Sequence, residues 1–232
     1  MSGDTNIAAL ATLLADQTRV SILMALADER ALPAGDLARQ ARVNASTASA
    51  HLARLVESGL LVVEKQGRHR YYRLADPAIE HALEVLAGFA PAAPVHSLRE
   101  SEAAKAIRTA RMCYGHLGGA LAVALSDSLT KREIVVDSHD GYLVTDDGRR
   151  WLSDFGIDGA FLKRRGPLVV PHHIDWSERR HHIAGSLGMA LARRLLDLEW
   201  IRRAPASRAV YITEHGRKAL VDELGIRLPQ TL

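Results

Sequence analysis

The chain has 232 residues, 25% of them charged and 47% hydrophobic, with 30 Lys and Arg against 27 Asp and Glu. That length admits one large domain or two to three small ones, and the abundance of Ala and Leu favours helix over sheet. A lone cysteine, Cys113, excludes an intrachain disulfide framework. No run approaches the roughly 18 apolar residues of a membrane-spanning helix, and MSGDTNIAAL lacks the features of a signal peptide, so a cytoplasmic location without a membrane partner is expected. The formal charge is only +3, but cations cluster at Arg68 to Arg73, Lys163 to Arg165, Arg179-Arg180 and Arg202-Arg203, and local excess of that kind suits a polyanion.

Taken in order, Ile7, Leu10, Ala11 and Leu14 form a first helical stripe. Asp16 offers a cap for a second helix with Val20, Ile22, Leu23 and Leu26 inward. Residues 28–32 read as a connection, and Pro33 suits the first turn of a third helix packing Leu37, Ala38 and Ala41. Arg42-Val43 turns into a helix capped by Asn44, with Ala45, Ala48, Leu52, Leu55 and Val56 as its narrow apolar stripe. The remaining faces of that helix carry Ser46, Thr47, Ser49, Ala50, His51 and Arg54, small or hydrogen-bonding side chains that let a backbone come close to another surface. Ser58-Gly59 ends it. Leu61 to Lys65 and His69 to Leu74 have strand composition, joined by a Gln66-Gly67-Arg68 turn. Lys65, Arg68, Arg70 and Arg73 put four cations on this hairpin, with Tyr71 and Tyr72 among them. A polar-faced helix followed by a basic hairpin is the pattern of a winged helix-turn-helix, whose second helix enters the major groove of double-stranded DNA while the wing touches backbone. The alternative is an ordinary helix and hairpin with solvated arginines. Asp76-Pro77 then opens a helix with Ile79, Ala82, Leu83, Leu86 and Phe89 apolar, a face that a second copy would cover, giving a homodimer on a pseudo-palindromic operator.

Residues 5–90 resemble the ArsR family of small dimeric repressors, through Thr18-Arg19 with its following apolar run, Asp36-Leu37-Ala38, Ser46 to Leu55, Glu57 to Val62 and Gly67 to Leu74. The resemblance implies a winged helix-turn-helix that binds an operator and is released when an effector, often a metal ion, changes the dimer. Carried over, Ser46, Thr47, Ser49, His51 and Arg54 would face base edges or flanking phosphates, and Arg68 and Arg70, beside Lys65, would be wing contacts. The metal-sensing branch has cysteines where this chain has Ala31 to Gly35, and His81 stands alone where zinc sensors carry several ligands.

Ala90 to Pro94 is a stiff Pro/Ala stretch that runs into a linker at 91–98. Beyond it lies an internal repeat, with units at 99–158 and 159–232. Gly115 to Leu125 matches His181 to Leu191, and Tyr142 to Arg149 parallels Val210 to Arg217, each ending in Thr followed by acid-x-Gly-Arg. The fold class expected is mainly α with small β-hairpins, an N-terminal winged helix-turn-helix followed by a pair of winged-helix-like repeats. Coincidence of Gly/Ala-rich helices is the other reading.

Cys113-Tyr114-Gly115-His116 reads as helical, which puts Cys113 and His116 on one face. Pro171-His172-His173 precedes Asp175 to Glu178, spaced as a capping box, with His181-His182 a turn later. This half resembles larger ArsR-like regulators carrying Cys-Tyr-x-His-Leu and Asp-Trp-Ser-Glu-Arg-Arg motifs, in which a cysteine usually stands near His173. The exchange to His keeps a nitrogen ligand for zinc but removes any disulfide switch with Cys113. Effector candidates are Cys113, Tyr114, His116, His173, Trp176 and His182, and metal candidates are Cys113, His116, His172 and His173. Three uses compete: a structural cluster, a sensor for zinc, nickel, cadmium or lead, and a pocket for a small organic effector. No cofactor is required by the sequence. No phosphate loop, nucleophile elbow or HExxH helix occurs, so an enzyme has no motif behind it and no catalytic residue is assigned. An interaction scaffold with a degenerate winged helix is opposed by the intact polar face. The expectation is a DNA-binding transcriptional regulator, a homodimeric repressor released by an effector.

Overall fold

Side-chain caps start most of the helices, and they fall where the chain offers Asn, Asp, Ser or Thr. The computed structural model describes residues 5–28, 30–67, 69–91, 97–162, 165–205 and 207–229, with Arg99 by its backbone alone. The chain divides into two units, Met1–Leu83 and Glu84–Leu232. Residues 92–96 of the expected linker, and Arg68 of the expected wing contacts, lie outside the described residues.

The first unit opens with α1 (Ile7–Leu14) and α2 (Gln17–Ala25), capped by Asn6 and Asp16. β1 (Leu32–Pro33) and α3 (Ala34–Ala41) follow. Pro33 thus sits just outside α3 rather than in its first turn, on an edge strand where its missing N–H leaves no gap. Arg42 takes the left-handed conformation, φ 57°, between α3 and α4 (Ala45–Glu57), and the Asn44 side chain accepts from the Thr47 amide at 2.8 Å to cap α4. β2 (Leu61–Gln66) and β3 (His69–Leu74) form the hairpin, Leu61 opposite Leu74 and Lys65 opposite Arg70. The expected connection at 28–32 ends in β1, which pairs with β3, so the sheet has order β1-β3-β2. Ile22, Leu23, Leu26, Leu37, Leu52, Leu55 and Leu61 fill the core. Arg19 is buried because it donates to Leu13 O at 2.7 Å and Thr12 O at 2.9 Å, satisfying carbonyls at the end of α1. α5 (Pro77–Phe89) runs across the division, and its Leu86 and Phe89 are exposed.

The second unit begins with α6 (Leu98–Thr109). Two runs of hairpin, helix, hairpin and helix follow. The first is β4 (Arg111–Cys113), β5 (His116–Gly118), α7 (Ala120–Lys131), β6 (Val135–Ser138), β7 (Gly141–Val144) and α8 (Asp146–Asp154). β8 (Leu168–Val170) then pairs with β7. The second run is β9 (His172–Ile174), β10 (His181–Ile183), α9 (Gly185–Asp197), β11 (Ile201–Arg203), β12 (Val210–Ile212) and α10 (Glu214–Leu224). Packing is reciprocal: α7 lies on β10 and α9 on β5, with the Ile183 amide donating to Ser126 Oγ at 2.9 Å.

The expected helix through Cys113 and Gly115 is a correction. Residues 111–118 form a hairpin, because Tyr114 (φ 54°) and Gly115 (φ 76°) make a two-residue turn with positive φ at both positions. α7 starts only after Gly119, whose φ is 86° and whose Cβ, if present, would lie 2.5 Å from Arg108 O. The acid-x-Gly-Arg openings match closely. Thr145 and Thr213 cap α8 and α10, accepting from Gly148 and Gly216, and donate to Glu133 O and Glu199 O. A Cβ on Gly148 would lie 2.0 Å from Ile134 O and one on Gly216 1.9 Å from Trp200 O. Gly148→Ala and Gly216→Ala should therefore each cost about 1–3 kcal/mol or more by overpacking, measured by denaturant unfolding. A neutral result at either position would contradict the close approach described.

Candidate functional site

On α4 the apolar stripe of Ala48, Leu52 and Leu55 is buried, which turns Ser46, Ser49, Ala50, Ala53 and Arg54 to the surface. Thr47 and His51 are half-buried at the margins, the His51 ring nitrogen Nδ1 3.7 Å from the Asp16 carboxylate. Ser46 Oγ donates to Asn44 Oδ1 at 2.7 Å and Ser49 Oγ to Ala45 O at 2.8 Å, so both hydroxyls still have acceptor capacity for an incoming donor. On the wing, Glu64 neutralises Arg73. Lys65 and Arg70 face each other across the hairpin, exposed and, among the described residues, without an ion pair. The available wing charge is thus narrower than the four cations suggest.

In the second unit, Cys113, His116, His173 and His182 bring one ligand-type atom each to within 4.8 Å of one another. Each hairpin supplies one directly opposed pair, Cys113 with His116 and His173 with His182. His116 and His182 are buried and His173 half-buried. Burial pushes His116 down to about 3, helped by His182 and His173, and pushes His182 down to about 4, so both are neutral near pH 7. His116 Nδ1 lies 3.2 Å from Tyr114 O, whereas its Nε2 and both ring nitrogens of His182 find no hydrogen-bond partner among the described residues. His172 stands apart: alternation along β9 puts it on the other face, its ring 3.9 Å from that of His181. His182 completes the set in its place. Tyr114 contributes its carbonyl, at the turn.

Asp175 and Glu178 do not open a helix. They sit in the turn between β9 and β10, where Asp175 Oδ1 accepts from the Ser177 and Glu178 amides and from Ser177 Oγ. Asp175 Oδ2 accepts from the Gly119 amide at 2.6 Å and from Arg111 at 2.8 Å. Burial opposes ionisation of Asp175, but Arg111 and these donors hold it at about 2. Arg111 also lies 4.5 Å from the Trp176 ring and 3.5 Å from Glu84, which pairs with Arg208. Arg111 and Glu84 escape a motif search because a buried ion pair has no fixed spacing. The only hint is Arg111 alternating with Cys113.

A family model described as "Helix-turn-helix domain" matches residues 14–64. The "Uncharacterized HTH-type transcriptional regulator YdfF" of Bacillus subtilis (strain 168) is 43% identical over 223 residues, 96% of this chain and 99% of that protein. The HTH-type transcriptional regulator CmtR of Mycobacterium tuberculosis (strain ATCC 25618 / H37Rv) is 40% identical over 80 residues, 34% of this chain and 67% of CmtR. The chain belongs to the ArsR family of winged-helix transcriptional regulators. The solution structure of a homodimeric winged helix-turn-helix domain of Mycobacterium bovis Mb0332 aligns with 42% of this chain and 99% of that one, at 26% identity and a TM-score of 0.34. As an ArsR-family member the protein is a DNA-binding transcriptional regulator.

Asp175→Ala in this ArsR-family chain should lower stability by about 3–5 kcal/mol, because it leaves the buried Arg111 charge only the 3.5 Å contact with Glu84, which Arg208 shares. Denaturant unfolding of the full chain measures this, and a loss below about 1 kcal/mol would contradict the network.

Proposed function

We propose that this regulator is a homodimeric repressor that binds a pseudo-palindromic operator through residues 5–90 and is released by an effector acting on the repeats at 99–158 and 159–232. The observation that carries the reading is the surface of α4 and the wing. A row of small and hydroxyl side chains with Arg54 is exposed, as are Lys65 and Arg70, which form no ion pair among the described residues. Ser46, Ser49 and Arg54 reach base edges or the nearest phosphates, Thr47 and His51 flank them, and Lys65, Arg68 and Arg70 meet backbone phosphate. The dimer reading is supported by α5, which leaves Leu86 and Phe89 exposed at 52% and 85%. Among the described residues no single helix is long and apolar enough to cross a membrane, which agrees with a regulator working in the cytoplasm. No enzymatic role is assigned.

Operator and random-sequence duplexes, compared by fluorescence anisotropy across a salt series, test this reading. The log-log slope should be about −0.9 per phosphate neutralised. Lys65→Ala and Arg70→Ala should weaken both duplexes alike and each reduce the slope by about 1, whereas Ser49→Ala should lose about 1–3 kcal/mol of discrimination. A flat salt response would overturn the reading, and unchanged discrimination in Ser49→Ala would move the recognition surface elsewhere.

A further inference from the structure

We propose that Cys113, His116, His173 and His182 hold one divalent transition-metal ion of the zinc class, clamping the β4–β5 hairpin to the β9–β10 hairpin within the Glu84–Leu232 unit. This deepens the effector reading of that unit and rests on it only for what the ion does to DNA binding.

The first argument is geometric. A tetrahedral zinc with bonds of about 2.0–2.3 Å sets its ligand atoms about 3.3–3.8 Å apart. The four atoms already lie within 4.8 Å of one another, so modest rotamer shifts bring them to bonding distance. Ring centroids of His116 stand 5.0 Å from His173 and 5.2 Å from His182, with the ring planes inclined at 63° and 36° rather than stacked flat. Each hairpin contributes a directly opposed pair, so the site joins the two repeats with two ligands from each.

The second argument is hydrogen bonding. Buried polar atoms in folded proteins are nearly always paired. His182 is 1% exposed, and neither of its ring nitrogens has a hydrogen-bond partner among the described residues. His116 is 0% exposed, and its Nε2 is in the same position. Its Nδ1 faces the Tyr114 carbonyl, an arrangement that puts the proton on Nδ1 and leaves the Nε2 lone pair aimed inward, as metal-bound histidines are held. The donor set chooses the ion. One sulfur and three imidazoles contain no carboxylate, which disfavours magnesium and calcium and suits zinc, cobalt or nickel. Uptake exchanges the Cys113 thiol proton, released to solvent, for the ion on Sγ. A cavity of about 10 Å³ lined by Leu117, Ser126, Ile183 and Gly188 has room for a single water at most.

The test uses the full chain without an affinity tag, stripped with chelator and titrated with cobalt(II). One equivalent per chain should bind, with the visible bands of a tetrahedral ion and a near-ultraviolet thiolate charge-transfer band, and zinc should displace it. Cys113→Ser should remove the charge-transfer band. Cys113→Ser and the half-buried His173→Ala should each weaken cobalt binding at least about 100-fold, since losing a direct ligand exceeds the loss from outer partners. His172→Ala, on the opposite face of β9, should bind as the parent chain does. Absence of cobalt uptake by chain shown to be folded by circular dichroism would overturn the site, as would parent-like binding by folded Cys113→Ser and His173→Ala. Operator affinity is measured on the same samples with and without zinc. Uptake that leaves operator affinity unchanged would keep the site and overturn its effector role. Operator binding without uptake would overturn the site and leave the regulator reading standing.

Discussion

The second unit depends on two opposite charges taken wholly out of water, Arg111 and Asp175, 2.8 Å apart and both 0% exposed. Such a pair is tolerable only when most of the remaining donors and acceptors are also met; Arg111 Nε has no hydrogen-bond partner among the described residues, so the burden falls on Asp175. Asp175 achieves this by accepting from the Gly119 amide at the start of α7 and from the Ser177 and Glu178 amides of its own turn. Gly118, directly opposite Arg111, leaves room for the guanidinium, since a Cβ there would stand 3.2 Å from Arg111 Cζ. The consequence is positional. Arg111 and Cys113 are two apart on β4, so alternation puts them on one face, and Asp175 opens the turn two residues beyond His173 of β9. Joining the charges brings Cys113 and His173 together. Their cross-strand partners His116 and His182 follow.

The first unit separates its tasks in another way. α4 spends its apolar stripe on the core and its Asn44 cap on rigidity, so the outward face is presented by a helix with both ends fixed. Small side chains there allow close approach. The wing leaves Lys65 and Arg70 exposed while Glu64 pairs with Arg73. Positioning and recognition thus come from different elements, as a protein that reads DNA needs.

How legible this was in the chain follows from how local each cause is. Asn44, Asp16 and the stripe Ala48, Leu52 and Leu55 act over one helical turn, and the helices they imply form as expected. The matched Thr145 and Thr213 caps, with Gly148 and Gly216 after them, were equally readable because cap and close approach lie within a few residues. The Cys113 to His116 stretch misleads because helical periodicity from α7 extends backwards over Gly118-Gly119, and only the positive φ of Tyr114 and Gly115 reveals a hairpin. β1 was hidden for a related reason: two residues on a sheet edge carry no period. His182 joining Cys113, and Arg111 meeting Asp175, are contacts across more than 60 positions, set by tertiary packing alone.

If a symmetric pair of these chains reads DNA sequence through α4, as proposed, the bound sequences must carry the same two-fold symmetry. Selection of bound fragments from a random duplex library by the full chain tests it most directly. The expected result is enrichment of an inverted repeat whose half-sites are centred about one helical turn, roughly 10 base pairs, or a whole multiple of it apart. Recovery of no common sequence, or of a single half-site without its inverted partner, would contradict it.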